Sequence, residues 1–344
     1  MERKHGGFVE NLSYQGEPLM GSRRCMVQAR QIFSMRAGIL LKVANEDLLK
    51  SLMENGTSLL LQRFSLPSGA FRHSIDESAK PLDDTPDLYG QAFVLFALAE
   101  AFAVSPQKRL RDRGKELLVY LRKERAAPGG GFTEISHGEM VYRSNPHMHL
   151  FEAALAWVEV DSDPEWRQLA KELLDLCLGK FFDPKLGLLA ERFHEGWDIE
   201  RENGRYIFEP GHLCEWSWLL GRYQKLLGED LITLRKQLFS SSEAKGLDAK
   251  RGALMDEIWS DGEVKTSSSR FWPQCERIKA ASQLGFRDAA EAGMEALFRY
   301  FDTPIKGLWH DTWDAFGSFR VQPVKASSLY HIIGAILEFH RMPR

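Results

Sequence analysis

Phe182-Asp-Pro-Lys-Leu-Gly-Leu-Leu-Ala190 and Leu247-Asp-Ala-Lys-Arg-Gly-Ala-Leu-Met255 are two copies of one pattern: an acidic turn, a glycine, then apolar residues. A third such turn, Phe301-Asp-Thr-Pro, precedes Gly307-Leu-Trp-His. The glycine-led segment recurs at Gly7-Phe-Val-Glu, Gly69-Ala-Phe-Arg and Gly131-Phe-Thr-Glu, so the chain carries six copies. Subtracting the glycine numbers gives spacings of 62, 62, 56, 65 and 55 residues. Several copies run on into a polar turn, such as Tyr14-Gln-Gly-Glu or Trp259-Ser-Asp-Gly-Glu, which reads as a short β-hairpin. Self-similarity of this kind marks a repeat architecture.

Between hairpins the apolar residues recur at helical spacing, and each gap holds two helices joined by a polar turn. The spacing predicts helices over 23–45 and 47–63, 86–104 and 106–125, 145–160 and 163–181, 210–226 and 229–243, 269–284 and 286–301, then 325–342. The first of a pair is the more apolar, as in Gln91-Ala-Phe-Val-Leu-Phe-Ala-Leu-Ala, while the second carries a charged face, as in Lys108-Arg-Leu-Arg-Asp-Arg-Gly-Lys-Glu. The first should therefore be buried on several sides and the second should face water. Six hairpins with alternating inner and outer helices predict an all-α chain, an (α/α)6 barrel or toroid, with residues 1–344 as one domain. An open solenoid is the structural alternative, because repeat spacing does not decide closure. Closure needs a twelfth helix, and the expectation is that the first N-terminal helix is missing, since its place falls before Gly6-Gly7.

Composition narrows the function. The 344 residues include 48 acidic and 45 basic side chains, a formal charge of −3, without the positive excess that a phosphate backbone requires, so no nucleic-acid partner is expected. No apolar run approaches ~18 residues, and Met1-Glu-Arg-Lys-His-Gly-Gly has no signal-peptide core; a cytoplasmic protein without a membrane partner is expected. Cys25, Cys177, Cys214 and Cys275 form no CxxC pair and read as buried thiols. A monomer or a homodimer fits such a chain.

Unusual polar residues fall at the start of the helices that directly follow a hairpin. They are Arg30; Asp87, Tyr89 and Gln91; Asn145, His147 and His149; His212 and Glu215; Trp272 and Glu276; and Tyr330 with His331. In a toroid the inner helices would all begin on one face and bring these side chains to one funnel mouth. Each has a plainer reading: Asn145 before Pro146 makes a good N-cap and N1 pair, and Glu215 three residues after His212 is a helix-face neighbour. Trp216 and Trp218 read as packing. Six helices placing charged, imidazole or indole groups at one phase of the repeat is more than core packing asks for.

His147, His149, His212 and Glu215 are metal-binding residue types, but no HExxH or cysteine-rich spacing is present, so no metal is expected. Neither GxGxxG, nor GxxxxGK[ST], nor a GxSxG elbow occurs; no cofactor is expected. Glu215 and Glu276 leave a two-carboxylate glycosidase open. A toroid that only binds a carbohydrate or a protein is the non-enzymatic alternative.

At these residues the chain resembles the N-acylglucosamine 2-epimerase superfamily. The matching segments are Gln28-Ala-Arg30-Gln, Asp87-Leu-Tyr-Gly-Gln-Ala-Phe, Asn145-Pro-His-Met-His-Leu-Phe-Glu-Ala, Pro210-Gly-His-Leu-Cys-Glu-Trp, Trp272-Pro-Gln-Cys-Glu and Leu329-Tyr-His, in order and across nearly the whole chain. The resemblance implies an (α/α)6 barrel and a cytoplasmic isomerase or 2-epimerase acting on a sugar. It further implies His212 and His331 as the acid/base pair, with Arg30, Tyr89, Asn145, His149, Glu215, Trp272 and Glu276 as substrate-binding residues. Imidazole titrates near neutrality, which suits proton transfer at C2 of an open-chain aldose. Arg30 would stabilise the developing oxyanion, and Glu215 would fix the tautomer of a neighbouring imidazole. By the same resemblance, cellobiose epimerases carry a Trp shortly before the last catalytic His, whereas Val324-Lys-Ala-Ser-Ser-Leu has no aromatic residue. The expected substrate is therefore a monosaccharide and the expected reaction mannose to fructose, with 2-epimerisation as the alternative.

Overall fold

The computed structural model describes residues 6–342, which fall into two compact units. The first comprises Leu19–Gly179 with Phe193–Asp198 and the stretch ending at Glu10; the second comprises Ile199 onward with Asn11–Pro18 and Lys180–Arg192. Eleven α-helices lie among the described residues. The first unit holds α1 (Cys25–Leu41), α2 (Glu46–Leu59), α3 (Leu88–Val104), α4 (Lys108–Glu124), α5 (Ser144–Val160) and α6 (Pro164–Leu176). The second holds α7 (Pro210–Leu227), α8 (Ile232–Gly246), α9 (Phe271–Leu284), α10 (Arg287–Arg299) and α11 (Leu329–Arg341). The expected twelfth helix, before Gly6, would lie outside the described residues.

Local chemistry sets the helix ends. Asn45, Asp87 and Asp163 each accept a backbone N–H in the first turn of α2, α3 and α6, while Gly228 and Gly285 close α7 and α9 in the left-handed conformation. The predicted helices 47–63 and 163–181 run on beyond α2 and α6 as single π-helical turns, Leu60–Phe64 and Cys177–Phe181. The apolar/amphipathic alternation also holds. α3 is buried continuously from Gly90 to Ala101, whereas α4 buries only a stripe at Leu110, Gly114, Leu117, Leu118, Tyr120 and Leu121. α3 packs between α1 and α5 in the first unit, and α9 between α7 and α11 in the second. Trp157 of α5 stacks on Trp166 of α6 at 4.8 Å and donates to the Leu95 carbonyl of α3, tying three helices through one buried indole.

The glycine-led segments form short antiparallel pairs. Phe182–Asp183 pairs with Leu188–Leu189 and Leu247–Asp248 with Ala253–Leu254, around Gly187 and Gly252, both at φ +68°. One expectation differs. The Phe301-Asp-Thr-Pro turn forms no strand pair; its closing contact is the His310 N–H on the Tyr300 carbonyl, in a segment where Pro304 has no N–H to offer. The segment after Gly7 folds back as expected at its Tyr14-Gln-Gly-Glu turn, where the Ser13 N–H donates to the Glu17 carbonyl at 2.8 Å, and its strand Asn11–Leu12 also pairs with Val324–Lys325.

A repeated lock joins hairpin to helix. Gln28, Gln91 and Gln274 are each the fourth residue of their helix, and each grips the backbone of the residue 20 positions earlier. Gln91 accepts from the Phe71 N–H and donates to the Phe71 carbonyl, both at 2.8 Å. Gln28 does the same to Phe8, and Gln274 to Leu254. Gln91 and Phe71 are fully buried, so Gln91→Leu strands one backbone donor and one acceptor. A loss of about 3 kcal/mol in urea-unfolding stability is expected, from about 1–3 kcal/mol per unsatisfied group; an unchanged midpoint would show that the lock is dispensable.

Candidate active site

In the second unit the third residue of α7, the second of α9 and the third of α11 are His212, Trp272 and His331. The Trp272 ring lies 4.9 Å from the His212 ring and 5.8 Å from the His331 ring, so one indole contacts both imidazoles. Both histidines are buried, and Trp272 is partly exposed. The close approach depends on Gly211, where a Cβ would stand 2.7 Å from the Trp272 ring.

Each imidazole has its own carboxylate. His212 Nδ1 lies 3.0 Å from Glu191 and 4.0 Å from Glu209. His331 Nδ1 lies 2.8 Å from Glu276. Burial works against a charged His212, but Glu191 and Glu209, with a smaller push from Glu215, overcome it and raise its pKa to about 9. His212 is thus an imidazolium at neutral pH, a proton donor. Glu209 in turn holds Arg270 at 2.6 Å, and Arg270 also binds Asp256 at 3.0 Å. Glu276 holds the Lys279 ammonium at 2.6 Å, and Lys279 lies 3.5 Å from the Trp218 ring centre. Glu215, Glu276 and His331 present donor atoms within 4.8 Å of one another, the spacing a metal would need. Lys279 already supplies the positive charge beside Glu276, so we assign no metal there.

In the first unit Arg30, Tyr89 and His149 come together. The Arg30 guanidinium donates to the Tyr89 hydroxyl at 2.6 Å and lies over the Phe93 ring, which also meets His149 at 4.4 Å. His149 sits edge-on to Tyr89 and its Nδ1 is 3.4 Å from Glu152. Asn145 is not the N-cap that its place before Pro146 suggests. Arg143 holds that position and Ser144 begins α5, leaving the buried Asn145 Oδ1 with no hydrogen-bond partner among the described residues. Asn145 and Tyr89 line a cavity of about 490 Å³ together with His73, Asp87 and Glu134.

Several expected candidates are structural. Gln91 is a hairpin lock, and His147, fourth in α5, is its imidazole version. His147 Nε2 accepts from the Phe132 N–H while Nδ1 donates to the Arg143 carbonyl, and burial drops its pKa to about 4. His147→Gln is expected to keep stability and activity, since glutamine does this work at three sister positions; a large loss of turnover with an unchanged fold would return His147 to the site. Asp87 caps α3 and pairs with His73, while Glu134 accepts the Leu88 and Tyr89 N–H groups at the same helix start. Glu215, expected to fix the tautomer of a neighbouring imidazole, has a carboxylate oxygen within 4.8 Å of His331, while the His212 and His331 Nδ1 atoms are held by Glu191 and Glu276. Glu191, Glu209, Arg270, Lys279 and Glu152 were not among the candidates. Lys279, three residues after Glu276, was legible as a helix-face neighbour; Glu191 gave no such signal, because only the fold brings its loop to α7.

A sequence model of the N-acylglucosamine 2-epimerase (GlcNAc 2-epimerase) family matches residues 6–335. The chain is 35% identical to a mannose-6-phosphate isomerase of Rhizobium meliloti (strain 1021), over 97% of this chain and 89% of that one. It is 26% identical to a D-mannose isomerase of Marinomonas mediterranea, over 90% and 80% of the two chains. Among solved structures, a sugar epimerase from a ruminal bacterium matches with a TM-score of 0.88 at 17% identity, covering 100% of this chain and 94% of the other. A D-mannose isomerase matches at 0.87 and 22%, covering 99% and 93%. The fold is of the all-α, (α/α)6 class, and the protein is a carbohydrate isomerase or epimerase. The chain belongs to the N-acylglucosamine 2-epimerase family. No helix among the described residues is long and apolar enough to cross a membrane.

Proposed function

We propose that the protein interconverts D-mannose and D-fructose by proton transfer through an enediolate, with His212 and His331 as the acid/base pair. The observation that carries this reading is a pair of buried imidazoles, each bonded to its own carboxylate, on either contact of the partly exposed Trp272. A base removes the C2 proton of the open-chain aldose, leaving an enediolate across C1 and C2. Return of a proton to C1, with the O2 proton passing to O1, gives the ketose. Return to C2 from the other face would give the 2-epimer. An imidazolium held by Glu191 is placed to donate a proton to the oxygen on which charge develops. Arg30, Tyr89, Asn145 and His149 are assigned to sugar hydroxyls, and Glu215 to the same task in the second unit.

The name of the Rhizobium relative brings in mannose 6-phosphate as a second reading. Charge favours the neutral sugar. Arg24 is paired with Glu10, Arg270 with Glu209 and Asp256, and Arg30 and Arg23 donate to the Tyr89 hydroxyl and the Gly6 carbonyl. In the second unit a phosphate dianion would have to compete with Glu209 and Asp256 for Arg270, with Glu191 close by. The segment 324–328 also fits a single ring: it is a short strand and a 3-10 turn without an aromatic residue. Parallel kinetics decide, with kcat/KM for mannose exceeding that for mannose 6-phosphate. The reverse order would replace the substrate and keep the chemistry.

A further inference from the structure

The buried ammonium of Lys279 has no part in the proton transfer itself. It lies 2.6 Å from one oxygen of Glu276, whose other oxygen takes His331 Nδ1 at 2.8 Å, and its far side rests on the Trp218 ring at 3.5 Å. Lys279 and Glu276 are three apart on α9 and both almost wholly buried. The titratable and charged groups around this chain include His331 and Tyr330 from α11, Glu215, His212 and Cys214 from α7, Arg222 at 5.3 Å from the Trp218 ring centre, and Cys275 on α9, whose thiol burial pushes well up.

We propose that Lys279 is a positioning residue that neutralises Glu276 and so keeps His331 an unprotonated imidazole, the proton acceptor, opposite a protonated His212. A carboxylate beside an imidazole normally favours the imidazolium, as Glu191 and Glu209 do at His212. An ammonium on the same carboxylate cancels most of that field, while the hydrogen bond to Nδ1 still fixes the ring. Two chemically alike histidines are thereby set to opposite protonation states, the condition for one to accept while the other donates. Lys279 acts only through Glu276, so its removal should change how activity depends on pH before it changes the fold.

The inference rests on the reading of His212 and His331 as the proton-transfer pair, but its first test needs no substrate. Histidine side-chain NMR on the full wild-type chain should show His331 neutral and His212 protonated at pH 7. In Lys279→Met the His331 titration should move up by about one unit or more, and the acid limb of kcat/KM with it, costing about tenfold at pH 6 and little at high pH. Lys279→Arg should restore the profile. A wild-type His331 that is already protonated at pH 7 overturns the proposal, as does a His331 titration that is the same in wild type and Lys279→Met. Should Lys279→Met fail to fold, the wild-type titration decides alone. Absence of sugar turnover by the wild type would instead count against the functional reading and leave these titrations standing.

Discussion

His331→Ala and His212→Ala are each expected to lower turnover by about 10²- to 10⁴-fold, the usual worth of a positioned acid or base, while the far-UV spectrum and thermal transition stay close to wild type. The fold should survive because the carboxylates left behind keep other partners. Without His331, Glu276 keeps Lys279; without His212, Glu209 keeps Arg270 and Glu191 still accepts the Glu209 N–H at 3.4 Å. His147→Gln serves as the control, an equally buried histidine in α5 whose ring only secures a hairpin. Full activity in either alanine variant would remove that residue from the chemistry.

Glu191→Gln should give the next largest change, and its size should depend on pH. The amide can still accept from His212 Nδ1, so the ring keeps its place while the foremost of the charges that raise its pKa to about 9 is lost, with Glu209 and Glu215 remaining. As the pKa falls toward the ordinary ~6.5, the protonated fraction at pH 8 falls from roughly 90% toward roughly 3%, so donor activity should drop by up to about 30-fold there and far less at pH 6. Stability follows the same sign. The folded-state pKa of His212 lies above its unfolded value, so its contribution is complete below about pH 6.5 and is lost as pH rises through about 9. The wild-type Tm should therefore decline between pH 7 and 9.5, and decline less in Glu191→Gln. An activity loss that is equal at every pH would mean that Glu191 acts on geometry alone.

The six glycine segments and the apolar periodicity between them made the helix order legible, and most helix ends fall within a few residues of expectation. Those features are local: a turn glycine, a cap and a 3.6-residue stripe lie within a short window of chain. The hairpin locks were equally local, since Gln28, Gln91 and Gln274 each stand 20 residues after the backbone they hold, yet they read as part of a polar cluster. His147 and Gln91 share the helix phase of the site residues, and only the bond partner separates a lock from a ligand. Asn145 shows the opposite error: its place before Pro146 suggested a cap, but α5 starts one residue earlier and leaves the amide oxygen open. Glu191 and Glu209 were beyond sequence reading because their meaning comes from distance to His212 in space. Those two carboxylates, and Lys279 on Glu276, are what make one histidine differ from the other.

The most direct test of proton transfer is NMR of D-mannose with the purified wild-type protein in heavy water, followed over hours. Fructose carrying solvent deuterium at C1 is expected, and no deuterium gain in mannose incubated with the double variant His212→Ala/His331→Ala. Fructose formed with the C2 hydrogen delivered intact to C1 would contradict the enediolate route, and mannose left unchanged would contradict the proposed reaction itself.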